Sequence, residues 1–239
     1  MGTILKFLFG LFLVLILGVV LVLGYFGLIP GLSNLMGTNK PRDLGMKYSE
    51  ASFQSALDKS AVEMATLPAD DPRVIAYEGS HVVRTAFTDE ELTAHAFDKN
   101  WVGYPVSDVQ VRINDDNTAE VSGILKLAQI SPFLQAMNIS QADFEKAMAK
   151  ISIPIKDMPF YAKGFGTAKN NTLDITMTNF EVGRFPVPQN ILDQYQDELT
   201  QFGQDIMRNI PGFSVREARF ENGALFFDGE LPTIEYTKR

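Results

Sequence analysis

The chain has 239 residues, with 21 Lys and Arg against 29 Asp and Glu, a net charge of −8, and no cysteine. The absence of cysteine excludes disulfides, thiolate metal sites and a lipidated-cysteine anchor, without identifying a compartment. From residue 49 onward 17 cations face 28 anions, a net −11, and such a surface repels nucleic acid and anionic headgroups.

The first element is apolar. Phe7 to Ile29 is a run of 23 residues with no charge and no proline, and about 20 such residues span a bilayer core as a helix. Pro30-Gly31 ends it. A cleaved signal would carry an apolar core of about 7–15 residues and a small-x-small cleavage site; this run is longer, and Gly24 to Gly27 fits no such site. Residues 1–30 are therefore read as a single transmembrane anchor, 31–48 as a tether and 49–239 as one domain. Lys6 before the span and Lys40, Arg42 and Lys47 after it give no support from charge for an outside C-terminus.

Ser49 to Met64 reads as a capped helix, with Phe53, Ala56, Leu57 and Ala61 at helical spacing. Pro68 to Pro72 is a loop. His81 to Phe87 alternates as a strand. Thr88 and Glu91 form a capping box for a helix to Phe97, with Leu92, Ala96 and Phe97 inward. Val106–Ile113 and Thr118–Leu127 form a hairpin across Asn114–Asn117, with Val109, Val111 and Ile113 on one face.

Ser131–Ile151 holds one or two helices, with a second capping signal at Ser140 and Asp143. Pro159–Lys169 and Thr172–Gly183 are strands joined by Asn170-Asn171. Pro186 and Pro188 start an amphipathic helix to Arg208, whose apolar stripe is Ile191, Tyr195, Leu199, Phe202 and Ile206. Phe213–Phe220 and Ala224–Leu231 close the chain as a hairpin across Glu221–Gly223. A change of phase between Val215 and Ala218 predicts a bulge near Arg216-Glu217. Strands in antiparallel pairs with interspersed helices make the fold class α+β.

No catalytic or metal-binding pattern stands up. His81 and His95 have no linking motif, there is no H-E-x-x-H or G-x-S-x-G, and Asp115–Asn117 is better explained as a turn than as a calcium loop. Gly164 and Gly166 in a strand imply close backbone approach or a bend. The expectation is a non-enzyme with no cofactor, no metal and no nucleic-acid partner. The 18 phenylalanines are more informative. Many fall on strands and inward helix faces, and the last strand is apolar on both sides. Such a sheet is either covered twice or encloses something apolar.

The stretch Val182 to Pro188, the helix after it, and Phe213 to Pro232 together follow the pattern G-x-x-x-V-P, long helix, strand, N-G, strand, G-x-x-P. With the helix start at Phe87–Leu92, this resembles bacterial membrane-anchored proteins of the YpmS type and the related mannan-synthesis lipoproteins, which look like the TULIP-like (tubular lipid-binding) superfamily. The resemblance covers roughly residues 80–232. It implies a curved antiparallel sheet wrapped around a long amphipathic helix, an apolar groove for acyl chains, and an extracytoplasmic domain on a single-pass cell-membrane protein. On it, the expected groove residues are Ile191, Tyr195, Leu199, Phe202 and Ile206 of the helix, facing Phe165, Phe180, Phe213 and Phe226. The expected function is binding of a lipid or other apolar ligand in the cell envelope. The alternative is a non-catalytic scaffold of the same fold with a filled core, serving an envelope protein partner.

Overall fold

A computed structural model describes residues 16–18, 20–21, 37–98, 101–139 and 157–238. Among these residues no helix is long and apolar enough to cross a membrane. The span expected over Phe7–Ile29 lies largely outside them; of its described residues, Ile16, Leu17 and Leu21 are helical and exposed.

The fold is α+β, with a mostly antiparallel main sheet that does not close. Its elements are α1 (Glu50–Ser60), β1 (Glu63–Thr66), β2 (Ile75–Glu78), β3 (His81–Thr88), α2 (Asp89–Asp98), β4 (Val106–Ile113), β5 (Ala119–Leu125), α3 (Leu127–Ala136), β6 (Met158–Lys169), β7 (Thr172–Val182), β8 (Phe185–Pro186), α4 (Gln189–Gln194), α5 (Gln196–Arg208), β9 (Ser214–Glu221), β10 (Ala224–Leu231) and β11 (Ile234–Thr237). The main sheet runs β3-β10-β9-β6-β5-β4, and β7 pairs with β6 and β8.

β6 organises the sheet. One of its edges is taken by β7 from Phe160 to Lys169. The other is shared: β5 holds Met158–Gly164, and β9 holds Thr167–Lys169. Two wings, β4-β5 and β9-β10-β3, therefore diverge from one edge at Phe165 and Gly166. The two glycines flanking Phe165 permit this. A Cβ at Gly164 would be driven into the Thr176 carbonyl oxygen, and one at Gly166 would meet the Phe220 ring at 3.4 Å.

Turn chemistry sets the hairpins as the sequence predicts. Asn170 and Asn171 both have positive φ, 50° and 59°, as do Asn222 and Gly223 at 52° and 72°, the values two-residue hairpin turns need. Register shifts between Asp228 and Gly229, so Arg216 is the extra residue of a bulge. Ser49 caps α1, its hydroxyl accepting from the Ser52 N–H at 3.0 Å. The Thr88–Glu91 capping box closes in both directions, at 2.9 and 3.3 Å.

Several expectations change. α1 stops at Ser60, where Ala61 turns left-handed (φ 51°), and residues to Thr66 become a strand. This β1 runs parallel to β11, which also pairs antiparallel with β2, forming a small second sheet. These short strands join distant parts of the chain and carry no hairpin signal. Phe97 is 42 % exposed instead of inward, because α2 packs through Glu91, Thr93 and Ala94 against α1 and β4. α3 begins at Leu127 and contains Pro132; the signal at Ser140 and Asp143 lies outside the described residues. The helix after Pro188 is two helices, broken at Tyr195 (φ −108°, ψ 9°). The break lets Leu192 bury while α5 lies against β7. Gln196, just past the break, accepts from the Met177 N–H at 3.1 Å and donates to the Ile175 carbonyl.

Part of the segment read as a tether is docked. Thr38 and Leu44 are buried, Leu44 being 4 % exposed. The Arg42 guanidinium bonds the Glu181 carboxylate at 2.6 Å and lies 3.9 Å over the Tyr161 ring. The Leu44 N–H donates to the Gln110 side chain at 2.9 Å. Residues 38–44 thus form a strap from the β7–β8 turn, past β6, to β4. Tyr161 and Ser122, paired in register on the face that Arg42 covers, are buried.

Candidate functional site

The described core is not one solid mass. One cluster centres on Val83, Ala168, Val215 and Phe227 of the β9-β10-β3 wing. A second centres on Ile75, Trp101 and Met137 near the small sheet and α3. Among the described residues, the largest fully enclosed side chains are only Leu134, Thr93 and Ser122.

A cavity of about 580 Å³ lies between the clusters. Its walls share Phe87, Leu173, Phe213, Ala218 and Leu231 with the margin of the first cluster, and Tyr77 and Ile210 with that of the second. Where the wings part, β6 contributes every residue from Ala162 to Ala168. β7 contributes Leu173, Ile175 and Met177 at strand alternation, and β10 contributes Leu225, Phe227 and Leu231. α1 contributes Ala56 and α2 contributes Leu92. Phe165 lines the cavity yet is 46 % exposed, which places it at the mouth.

The walls are overwhelmingly hydrocarbon, with a few ionisable groups: Glu91, His95, Lys163 and Glu235, beside the Tyr77 phenol. Burial by itself would raise the Glu91 carboxyl. Hydrogen bonds from Lys59 at 2.8 Å, Ser55 and the Thr88 N–H outweigh it and hold the group below its ordinary value. Burial, followed by the Glu235 charge, pushes the Tyr77 phenol up, and the same two causes push Tyr104 up to about 12. Among the described residues no three His, Asp or Glu side chains group as a metal site.

The structure places the expected groove residues unevenly. Phe165 and Phe213 line the cavity. Phe180 and Phe226 do not: Phe226 lies under the guanidinium of Arg219, 4.4 Å from its ring centroid. None of Ile191, Tyr195, Leu199, Phe202 and Ile206 lines it either; Met207 is the residue of α5 that does. Leu199 is 37 % exposed. Gly203 faces the sheet, where a Cβ would meet the Leu173 side chain at 2.8 Å. Amphipathic periodicity finds a helix's apolar stripe but not how close that stripe comes to a cavity. Apart from Phe165, the wall residues of β6, β7 and β10 are not among the expected ones, because strand alternation marks a face without telling core from cavity.

No family model, curated protein or solved structure matches the chain.

Proposed function

We propose that this is a single-pass membrane protein, anchored through residues 1–30, whose domain binds a lipid or similar apolar ligand outside the cytoplasm and without catalysis. The observation that carries the reading is the apolar cavity of about 580 Å³, inside the range of about 300–1,000 Å³ usual for ligand sites. Transfer of an acyl chain from water into such walls contributes about 0.8 kcal/mol per methylene. The antiparallel sheet with helices along it is compatible with a TULIP-like arrangement, and α5 packs chiefly on β7. The uncharged run from Phe7 to Ile29 and the exposed helical Ile16, Leu17 and Leu21 support the anchor.

The test is native mass spectrometry of the detergent-released full chain, in which co-purified lipid is expected. A cavity-filling substitution, Ala162→Phe, sharpens it. In an open cavity the added ring displaces ligand, so lipid retention falls while stability stays within about 1 kcal/mol. In a filled core the same ring overpacks and costs about 1–3 kcal/mol, with no lipid to lose. That second result would favour an envelope scaffold.

A further inference from the structure

We infer that the cavity takes a single-chain amphiphile with a neutral, hydroxyl-bearing head, a long-chain alcohol or monoacylglycerol, whose hydroxyl is received by Glu235 and Tyr77. The inference rests on the apolar-ligand reading above and names the class of ligand. Glu235 of β11 and Tyr77 of β2 are direct cross-strand partners, which places their Cβ atoms about 4.5–5.5 Å apart. Both line the cavity. Along β11, Glu235 and Thr237 are buried while Ile234 and Tyr236 are only partly so, so the carboxylate lies on the inner face of the small sheet. Glu235 is 5 % exposed. Its charge reaches the Tyr77 phenol, where it adds to burial in pushing the group up.

This polar pair is remote from the mouth. Beside Phe165, Gly166 faces the Phe220 ring, and Phe220 pairs with Leu225. From Leu225 the wall follows β10 through Phe227 to Leu231, about 20 Å along the strand, and Pro232 and Glu235 come next. The other polar groups of the wall are engaged. Lys59, Ser55 and the Thr88 N–H hold Glu91. The Ser60 hydroxyl donates to the Leu57 carbonyl at 3.1 Å, His95 stacks on Phe53, and Lys163 lies 4.0 Å from Asp116. The Tyr77 hydroxyl differs, making no hydrogen bond to any described residue. A carboxylate offers about four lone-pair sites, so Glu235 can accept from a further donor whatever else it bonds. A polar group is stable in such walls only when it is hydrogen-bonded. A hydroxyl both donates and accepts: it gives its proton to Glu235 and takes that of Tyr77. An ionised carboxylate or phosphate has no proton to give and meets the Glu235 charge instead. An ammonium group suits Glu235 but offers the phenol proton no acceptor.

The test offers the detergent-solubilised full chain an equimolar mixture of hexadecanol, hexadecanoate and hexadecane, and reads the retained ligand by native mass spectrometry. The three share one chain length and differ only at its end. The expected result is hexadecanol retained several-fold over either competitor. Glu235→Gln should raise hexadecanoate relative to hexadecanol several-fold, by removing the repelling charge. Tyr77→Phe should lower hexadecanol relative to hexadecane several-fold, by removing the donor. Hexadecane held by a variant reports that its cavity is formed, and the comparison within the native chain needs no variant at all. Hexadecanoate held as well as hexadecanol by the native chain would overturn the hydroxyl specificity, with Lys163 the cation that receives the carboxylate. Hexadecane held as well as hexadecanol would overturn polar recognition altogether. Either result leaves the apolar cavity as a ligand site. An alcohol preference unchanged in both folded variants would overturn Glu235 and Tyr77 as its receivers. Retention of none of the three would overturn the apolar-ligand reading, and the head-group specificity with it.

Discussion

At the residue scale the chain's polar choices are explained by contacts at different distances along it. Glu91 is the clearest case. Its capping role is legible locally, because Thr88 is three residues away and the box pattern is short. Its ion pair with Lys59 is not, because 32 residues separate the two. We expect Glu91→Gln to cost about 1–3 kcal/mol at neutral pH, by leaving Lys59 without its counter-charge. The folded carboxyl titrates below its ordinary value of 4.5. The stability it contributes is therefore complete above about pH 4.5 and is lost as pH falls through the lower folded value. Thermal unfolding between pH 7 and 3 should show a shallower acid loss in the variant than in the native chain. An identical acid limb in both would remove Glu91 from the account. Leu199 tests a different point. Its side chain is 37 % exposed and off the cavity wall, so Leu199→Ala should cost about 1 kcal/mol, not the about 2–5 kcal/mol of a buried leucine. Denaturant titration distinguishes the two.

At the element scale, local chemistry accounts for the hairpins and tertiary contacts account for their edges. Asn170-Asn171, Asn222-Gly223 and the bulge at Arg216 could be read directly, since positive φ and strand phase are properties of neighbouring residues. How the sheet ends could not. On β4, the Thr93 hydroxyl of α2 accepts from the Val111 N–H at 2.9 Å and donates to its carbonyl at 3.2 Å. On β7, Gln196 treats Met177 and Ile175 in the same way. In each case one helix side chain stands in for a missing strand and blunts an edge that would otherwise invite pairing. Thr93→Val keeps the shape and removes both bonds, so we expect a loss of about 1–3 kcal/mol by chemical denaturation. The strap makes a second element-scale prediction. A chain beginning at Gly37 should fold with native stability. Removing residues 1–48 takes away Leu44, whose truncation to alanine alone should cost about 2–5 kcal/mol, and uncovers Tyr161 and Ser122. Equal melting temperatures for the two truncations would show that the strap contributes nothing.

At the scale of the whole molecule, orientation is open to a direct test. If the domain lies outside the cytoplasm, as proposed, protease added to intact spheroplasts should digest it. Protection until lysis would place it inside. The α+β class, the order of the hairpins, the long apolar run and the acidic surface all follow from composition and short-range periodicity, because each depends on residues within a few positions of one another. The small sheet of β1, β11 and β2, the docking of residues 38–44 and the placement of the cavity do not. β1 and β11 are four-residue strands some 170 positions apart, and no local pattern encodes a parallel pairing at that separation. The cavity depends on an absence: two wings part at Phe165, and no described side chain fills the space between the two core clusters. Apolar periodicity determines which faces leave water. Only the packed arrangement of those faces decides whether they meet one another or surround an empty volume.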